Sequence, residues 1–577
     1  MYRAQETTSS ATKPGLHCLS LTLLFAAAML PAVACLAASA ASATTCGNVA
    51  SLVLPNATIT ATESVPAGAL APPGVAPLIN QDGVPITGLP AFCRVLGTAT
   101  PTSDSIINFE VWMPLSGWNG KFNGDGNGAY GGNYSVAYLE MAVGLQRGYA
   151  VASTDMGHTD ASLGDGSWAL GHPEKIIDWG YRANHLTAVL AKIIIQAFYG
   201  TPPRLSYFTG CSDGGHEALM EAQRFPDDYD GIIAGDAANF WTHQSAGWVW
   251  EAQATLNDPS SFIPSAKLPV ITAAALAACG AMDGVVDNFI SDPLRCHFDP
   301  AVLLCSGADA PTCLTAPQVE AVKKIYSGPR NPRTGEQVYP GLEPGSESTI
   351  YSSGFGAGLG GWKTLISGPR PFLGGDFFKY FVFDNTNWDF HTLNFDGDIA
   401  FADAKMAAII DSTNPDLRPF RARGGKLIMY HGWADPLVNS QNSVNYYESV
   451  VATQRPGNGN GVGEDQVALR RTQDFVRLFM VPGMYHCLLG PGPNSFGQEF
   501  ATQGPLDPTH NILSALEAWV EDGVAPDKII AAKYTNDDPN QSVLLTRPLC
   551  PYPQQAVYTG SGSTNDAANF VCQTHSH

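Results

Sequence analysis

Leu205-Ser206-Tyr207-Phe208-Thr209-Gly210-Cys211-Ser212-Asp213-Gly214-Gly215 is the stretch that decides the fold. The apolar run Leu205 to Thr209 reads as a strand and leads straight into a G-x-S-x-G pentapeptide. Strong helix formers follow from Glu217 to Arg224. Strand, sharp turn with a central serine, then helix is the nucleophile elbow of an α/β-hydrolase, which exposes the serine hydroxyl at the top of the sheet.

A serine hydroxyl is a weak nucleophile until a base takes its proton, and the base needs an orienting carboxylate. In this fold the three residues follow in the chain order Ser, acid, His. His486 stands in Val481-Pro482-Gly483-Met484-Tyr485-His486-Cys487, just beyond the strand-like run Val476 to Val481. Asp435 stands in His431-Gly432-Trp433-Ala434-Asp435-Pro436 and closely follows the run Lys426 to Tyr430, which favours it over Asp236. The expected triad is therefore Ser212, Asp435 and His486. Cys211 precedes the serine and Cys487 follows the histidine. A disulfide needs Cα atoms roughly 4.4–6.8 Å apart, so if these two cysteines are bonded, Ser212 and His486 lie within reach of each other.

An oxyanion hole needs two backbone N–H donors, one of them on the residue after the nucleophile. Asp213 supplies that one. The second is expected from the glycine-rich stretch Gly124-Asp125-Gly126-Asn127-Gly128-Ala129-Tyr130-Gly131-Gly132, at Gly128 or Ala129.

Further strands are read at Ile106 to Met113 and Gly148 to Thr154, and a long helix at Ala183 to Tyr199 from apolar residues at three- and four-residue steps. Short apolar strands alternating with helices imply a mostly parallel sheet covered by helices. The alternation breaks down between Trp241 and Asp416, where aromatics are dense and four cysteines fall. The expected organisation is a first part of an α/β-hydrolase core at 44–240, an inserted lid at 241–416 and the second part of the core at 417–577. Gly457-Asn458-Gly459-Asn460-Gly461 is expected to be a surface loop.

Arg3 and Lys13, the nearly uncharged apolar run Leu19 to Leu36, and Ala41-Ser42-Ala43 read as a secretory signal over 1–43. An uncleaved anchor and lipidation at Cys35 are the alternatives. The location implied is secreted or periplasmic, with no membrane association once the signal is removed. Of twelve cysteines, Cys18 and Cys35 go with the signal and ten remain. An exported compartment permits five bridges. Spacing suggests Cys279 with Cys296, Cys305 with Cys313 and Cys550 with Cys572, and Cys46 would then pair with Cys93. Only 14% of residues are charged, the formal net charge is −21, and no extended Lys/Arg run occurs, which argues against a nucleic-acid partner.

The chain resembles the tannase and feruloyl esterase family, which also includes a bacterial hydrolase of mono(2-hydroxyethyl) terephthalate. The resemblance rests on Trp118-Asn119-Gly120-Lys121-Phe122, Gly210-Cys211-Ser212-Asp213-Gly214-Gly215, Arg224-Phe225-Pro226, Tyr229-Asp230-Gly231-Ile232, His431-Gly432 with Asp435, Val481-Pro482-Gly483-Met484 with His486-Cys487, and Arg547-Pro548-Leu549-Cys550-Pro551-Tyr552-Pro553. It implies an α/β-hydrolase core, a lid over the site, a disulfide between Cys211 and Cys487, and hydrolysis of small-molecule aromatic esters of hydroxycinnamate or gallate type without an organic cofactor.

The resemblance also implies a structural calcium loop at Cys279-Gly280-Ala281-Met282-Asp283-Gly284-Val285-Val286-Asp287-Asn288-Phe289. Calcium takes roughly six to eight oxygen ligands. The carboxylates of Asp283 and Asp287 and the carbonyls of Val285 and Phe289 match the family's set, whereas Gly280 stands where the family has an aspartate. His216 stands where an arginine is common. Lys363 falls near the position of an arginine that grips the substrate carboxylate in the terephthalate hydrolase, which makes it a candidate substrate ligand. Of the lid aromatics Trp241, Trp248, Trp250, Trp362, Phe377, Phe378 and Trp388, two are expected to face a phenolic acyl group and the rest to pack the core. The competing readings are a broad aliphatic esterase, a terephthalate-type hydrolase, and a catalytically silent hydrolase fold that only binds.

Overall fold

Nine strands of the computed structural model form one sheet: β1 (Ala57–Val65), β2 (Phe92–Ala99), β3 (Ile107–Pro114), β4 (Lys121–Asp125), β5 (Ala150–Thr154), β6 (Leu205–Cys211), β7 (Gly231–Gly235), β8 (Lys426–Gly432) and β9 (Val476–Val481). Their order is β1-β2-β3-β5-β4-β6-β7-β8-β9. The pairings from β1 to β5 through β2 and β3 are antiparallel, and every pairing from β5 through β4 to β9 is parallel. The protein thus has an α/β-hydrolase fold. Two hairpins follow, β10 (Ile529–Tyr534) with β11 (Val543–Leu549) and β12 (Gln554–Tyr558) with β13 (Phe570–Thr574). The structure describes residues 44–68, 70, 87–160, 163–352, 358–456, 462–498 and 504–574, so the signal segment with Cys35 and the 457–461 loop lie outside it.

Successive strand residues point to opposite faces, and here both faces are covered. Phe208, Ile232, Met429 and Leu478 share one core with Ala191 and Ile194 of the helix Ala183–Tyr199, Leu219 of the helix Asp213–Arg224 and Val450 of the helix Ser440–Thr453. Their strand neighbours Tyr207, Ile233, Ile428 and Phe479 share the other with Met141 and Leu145 of the helix Ala137–Gln146 and Leu516 and Trp519 of the helix Ile512–Asp522. Double-sided burial is why the central strands read as unbroken apolar runs rather than alternating ones.

Two central strands escape such a reading. In β4, Lys121-Phe122-Asn123-Gly124-Asp125 carries little strand propensity. Some of its polar groups pair within the sheet: Asn123 Nδ2 donates to Asp125 Oδ1 at 2.5 Å and to Thr209 Oγ1 at 3.0 Å. Gly124 is required by close packing, since a Cβ there would lie 2.3 Å from Tyr229 Oη. In β7 the glycines at both ends accommodate Tyr207 and Tyr430 in the same way.

Between β7 and β8 no strand is formed among the described residues. The stretch that connects them is built from the helices Trp241–Leu256, Leu268–Cys279 and Ala316–Ser327 and several shorter helical turns, and it forms the insertion between the two strands. Trp241, Trp248, Trp362, Phe377 and Phe378 are buried in its core, and Trp250 and Trp388 pack against it half-buried. Disulfides Cys279–Cys296 and Cys305–Cys313 close short loops within it, while Cys46–Cys93 joins the short helix Cys46–Val49 to β2 and Cys550–Cys572 ties β13 to the end of β11.

Candidate active site

Three loops leave the carboxyl ends of parallel strands on one side of the sheet, where ligand sites of open α/β sheets lie. β6 ends at Cys211, and Ser212 takes φ 66° and ψ −120° before the helix Asp213–Arg224 begins. A positive φ in a non-glycine residue is strained and held only by its surroundings. Here the surroundings are tight: a Cβ on Gly210 would lie 2.3 Å from Gly214 O, and one on Gly215 would lie 2.3 Å from Gly235 O. The glycines of G-x-S-x-G-G are thus demanded by backbone contact.

Ser212 Oγ lies 2.8 Å from His486 Nε2, and His486 Nδ1 lies 2.7 Å from Asp435 Oδ2. The other oxygen of Asp435 accepts the amides of Leu437 at 2.8 Å and Val438 at 3.0 Å. Burial alone would raise the Asp435 carboxyl, but His486 and His431 beside it outweigh burial and hold it well below the usual carboxylate range. Burial likewise works against a charged His486, and Asp435 overrides it, so this imidazole is raised above its ordinary value. Cys211 and Cys487 are bonded, with Cα atoms 5.9 Å apart.

Asp236, the rejected acid, faces elsewhere. Its Oδ1 accepts the amide of Gly432 at 2.8 Å and its Oδ2 that of Cys487 at 3.1 Å. Burial pushes it up to about 7, and the neighbouring His431 moderates the rise. His431 meets Asp435 Oδ2 through Nε2 at 3.2 Å and Ser443 Oγ through Nδ1 at 2.7 Å. Sequence reasoning missed both partnerships. Only the position of His431 directly after the apolar run Lys426 to Tyr430 hinted at them.

Asn127 was missed as well, and it pins the glycine loop to the elbow. Its carbonyl accepts Gly214 N–H at 2.8 Å, its own N–H donates to Glu217 Oε2 at 3.0 Å, and its Nδ2 donates to Thr154 O at 3.0 Å. Asn127 Oδ1 also takes the amide of Gly128 at 3.0 Å. Among the described residues the amides of Asp213 and Ala129 have no hydrogen-bond partner, and Ala129 sits at φ 52°. The side chain of Asp213 turns away into the core, where Trp241 Nε1 donates to its Oδ1 at 3.1 Å and His216 Nδ1 lies 3.2 Å from the same oxygen.

A cavity opens over Ser212 and His486, with Gly128 and Ala129 on its rim. Trp241, Trp248 and Phe372 form its aromatic wall, Val136, Leu163, Leu359, Leu373, Leu437 and Leu488 its aliphatic one, and Gln244 is the single amide side chain among the described residues. Among the described residues no Lys or Arg lines it. Lys363 does not join the site, contrary to the sequence expectation. The buried position goes to its neighbour Trp362, whose indole donates to Ser346 Oγ at 3.0 Å, so Lys363 emerges exposed on the outside of the insertion.

Of the expected calcium residues, Asp283 and Asp287 lie near enough for their charges to interact. Asp283 Oδ1 accepts the amide of Val285 at 3.0 Å and Oδ2 the hydroxyl of Ser291 at 2.6 Å. Asp287 Oδ2 lies 3.2 Å from Arg547 Nη2, while its Oδ1 is buried without a partner among the described residues. Burial first, and Asp283 second, push Asp287 up to about 7. Gly280 contributes no carboxylate. An orphaned carboxylate oxygen beside a second aspartate fits a cation, with Arg547 already neutralising part of the charge.

Comparison with known proteins places the chain. The family model described as tannase and feruloyl esterase matches residues 93–573. The chain belongs to the tannase and feruloyl esterase family. It is a carboxylic ester hydrolase. It is similar to an uncharacterized esterase of Xanthomonas campestris pv. campestris, 46% identical over 94% of this chain and 93% of the relative. It is also similar to a probable feruloyl esterase B-1 of Aspergillus oryzae, 33% identical over 90% of each. Among solved structures, feruloyl esterase B from Aspergillus oryzae superposes with a TM-score of 0.79 at 31% identity, covering 92% of this chain and 99% of that one.

Proposed function

We propose that this ester hydrolase cleaves small esters of aromatic carboxylic acids by two-step acyl transfer, with Ser212 as nucleophile, His486 as base and Asp435 as its orienting acid. The observation that carries the reading is the chain of contacts at 2.8 and 2.7 Å from Ser212 through His486 to Asp435, opening onto an uncharged cavity with Trp241, Trp248 and Phe372 in its wall. His486 takes the Ser212 proton as Oγ attacks the ester carbonyl. The oxyanion is received by the Asp213 amide and, because Asn127 already occupies Gly128, by the amide of Ala129. His486 then gives its proton to the departing alcohol, leaving an acyl-enzyme, and activates the water that releases the acid. A depressed Asp435 and a raised His486 suit this: the acid stays ionised while the imidazole accepts a proton.

The insertion serves as the lid that walls the acyl site, and the chain works outside the cytoplasm, a location that five bonded disulfides support. Calcium, held by the carboxylates of Asp283 and Asp287 with the carbonyls of Val285 and Phe289, would fasten the insertion to the β11 segment that carries Arg547. It takes no part in ester cleavage.

The aliphatic half of the wall, from Val136 to Leu488, favours a second reading as a broad aliphatic esterase. A terephthalate-type acyl group would meet no Lys or Arg among the described residues of this cavity. Hydrolysis of methyl ferulate, methyl caffeate, methyl gallate, mono(2-hydroxyethyl) terephthalate and p-nitrophenyl butyrate by wild type and Ser212→Ala decides. An aromatic ester turned over and lost in the variant is the expected result. Turnover of the butyrate alone would overturn the aromatic assignment.

A further inference from the structure

His431, inside β8, is fully buried, and no step of the acyl transfer calls on it. Its Nε2 sits among three acceptors: Val438 O at 3.0 Å, Asp435 Oδ2 at 3.2 Å and Asp236 Oδ1 at 3.4 Å. A ring nitrogen surrounded by acceptors alone carries a hydrogen. The Asp435 oxygen that it meets is the same Oδ2 that lies 2.7 Å from His486 Nδ1. Asp236, tied to the Gly432 and Cys487 amides, joins the end of β7, the His431 strand and the residue after His486 in one contact set.

We propose that His431 and Asp236 form a second imidazole–carboxylate pair behind the triad, which positions Asp435 toward His486 and, through a positive charge on His431, sets the pH range in which His486 works as a base. The proposal rests on the triad reading above.

The balance of charge around the ring supports it. Asp236 faces it from the end of β7, Asp435 from the loop after β8, His486 from the loop after β9, Glu343 from the insertion, and the hydroxyl of Ser443 from the helix Ser440–Thr453. Burial opposes a charge on His431, but Asp236 and Asp435 outweigh it and the ring is raised above its ordinary value. Glu343 is pushed up to about 8 by burial and is largely neutral at pH 7. Ser443 can accept from Nδ1, so an imidazolium is satisfied on both sides. A cation sharing Asp435 with His486 makes His486 a weaker base than Asp435 and Asp236 alone would make it.

The test is the pH profile of kcat/KM on an ester that wild type hydrolyses. His431→Gln keeps an N–H donor and removes the charge, whereas His431→Leu removes both. The acid limb of the Gln variant is expected to move up by about half to one pH unit, with a plateau within about tenfold of wild type. The Leu variant is expected to show the same shift and a plateau at least about tenfold below that of the Gln variant. An unshifted limb in the Gln variant overturns the charge, and a Leu plateau equal to that of wild type overturns the positioning. Should neither variant fold, ¹⁵N-histidine spectra of the wild type, with His431 assigned against Ser443→Ala, read the same point. Both ring nitrogens of His431 protonated at pH 7 is expected, and a lone-pair nitrogen overturns the proposal. Absence of turnover of every ester by wild type would instead overturn the triad reading, leaving the spectra to judge His431.

Discussion

Cys211 and Cys487, 276 positions apart in the chain, are bonded to each other, and their neighbours Ser212 and His486 stand 2.8 Å apart, Oγ to Nε2. The bridge fastens the elbow to the histidine loop. The Cys211→Ser/Cys487→Ser double variant, which leaves no lone thiol, is expected to lose stability, by up to ~5 kcal/mol for so long a loop in the chain-entropy picture. Assayed at low temperature, where it stays folded, it should still lose turnover at least about tenfold, because residue 487 then keeps its amide bond to Asp236 but no covalent tie to the elbow. Full turnover in the folded variant would show that packing suffices to place His486.

Asp435→Asn should preserve the fold and lower kcat by about 10⁴-fold. The amide cannot stabilise the imidazolium of His486, and it favours the wrong tautomer. Circular dichroism matching that of wild type, with a loss under tenfold, would remove Asp435 from the triad.

Activity should fall as pH drops through a midpoint above 6.5, since Asp435 raises His486 above that ordinary value and protonation removes the base. Stability follows a different course. Burial raises Glu343 to about 8 and Asp155 and Asp287 to about 7 in the folded state. The folded state therefore holds protons that the unfolded chain has released above about pH 4. The stability contributed by these groups is complete below about pH 4 and is lost as pH rises to about 8. Asp435, depressed in the fold, contributes the opposite way, but its contribution is already complete above the ordinary aspartate value of 3.8 and does not change over this window. Urea midpoints are expected to be higher at pH 5.5 than at pH 8, and the reverse order would contradict the assignment of these groups.

Calcium should raise the melting temperature of the chelator-stripped protein by a few degrees, as binding to the folded state alone requires. Asp283→Asn should abolish the increment, and an undiminished shift in that variant would move the site elsewhere.

Lys363→Ala should leave kcat/KM within about twofold for every ester, because this side chain is exposed outside the cavity. A selective loss on an acyl group bearing a carboxylate would restore Lys363 to substrate binding.

Much of the fold could be read in the residue order because its signals are local. Leu205 to Thr209, Lys426 to Tyr430 and Val476 to Val481 are apolar because both faces of a parallel sheet are buried, and the G-x-S-x-G turn needs glycine wherever backbone meets backbone. Chain order then brought Ser212, Asp435 and His486 forward as a set, and cysteine spacing alone paired Cys279 with Cys296 and Cys305 with Cys313. The strands β4 and β7 were invisible because their glycines answer to tyrosines far away in sequence, Tyr229 for Gly124 and Tyr430 for Gly235. Packing also decided that Trp362 rather than Lys363 turns inward, that Asn127 spends the amide of Gly128 and leaves that of Ala129, and that Asp236 and His431 gather behind Asp435. Local periodicity sets which residues form a strand or an elbow. Which buried polar groups share a hydrogen depends on distances between segments hundreds of residues apart, and only the folded chain sets those.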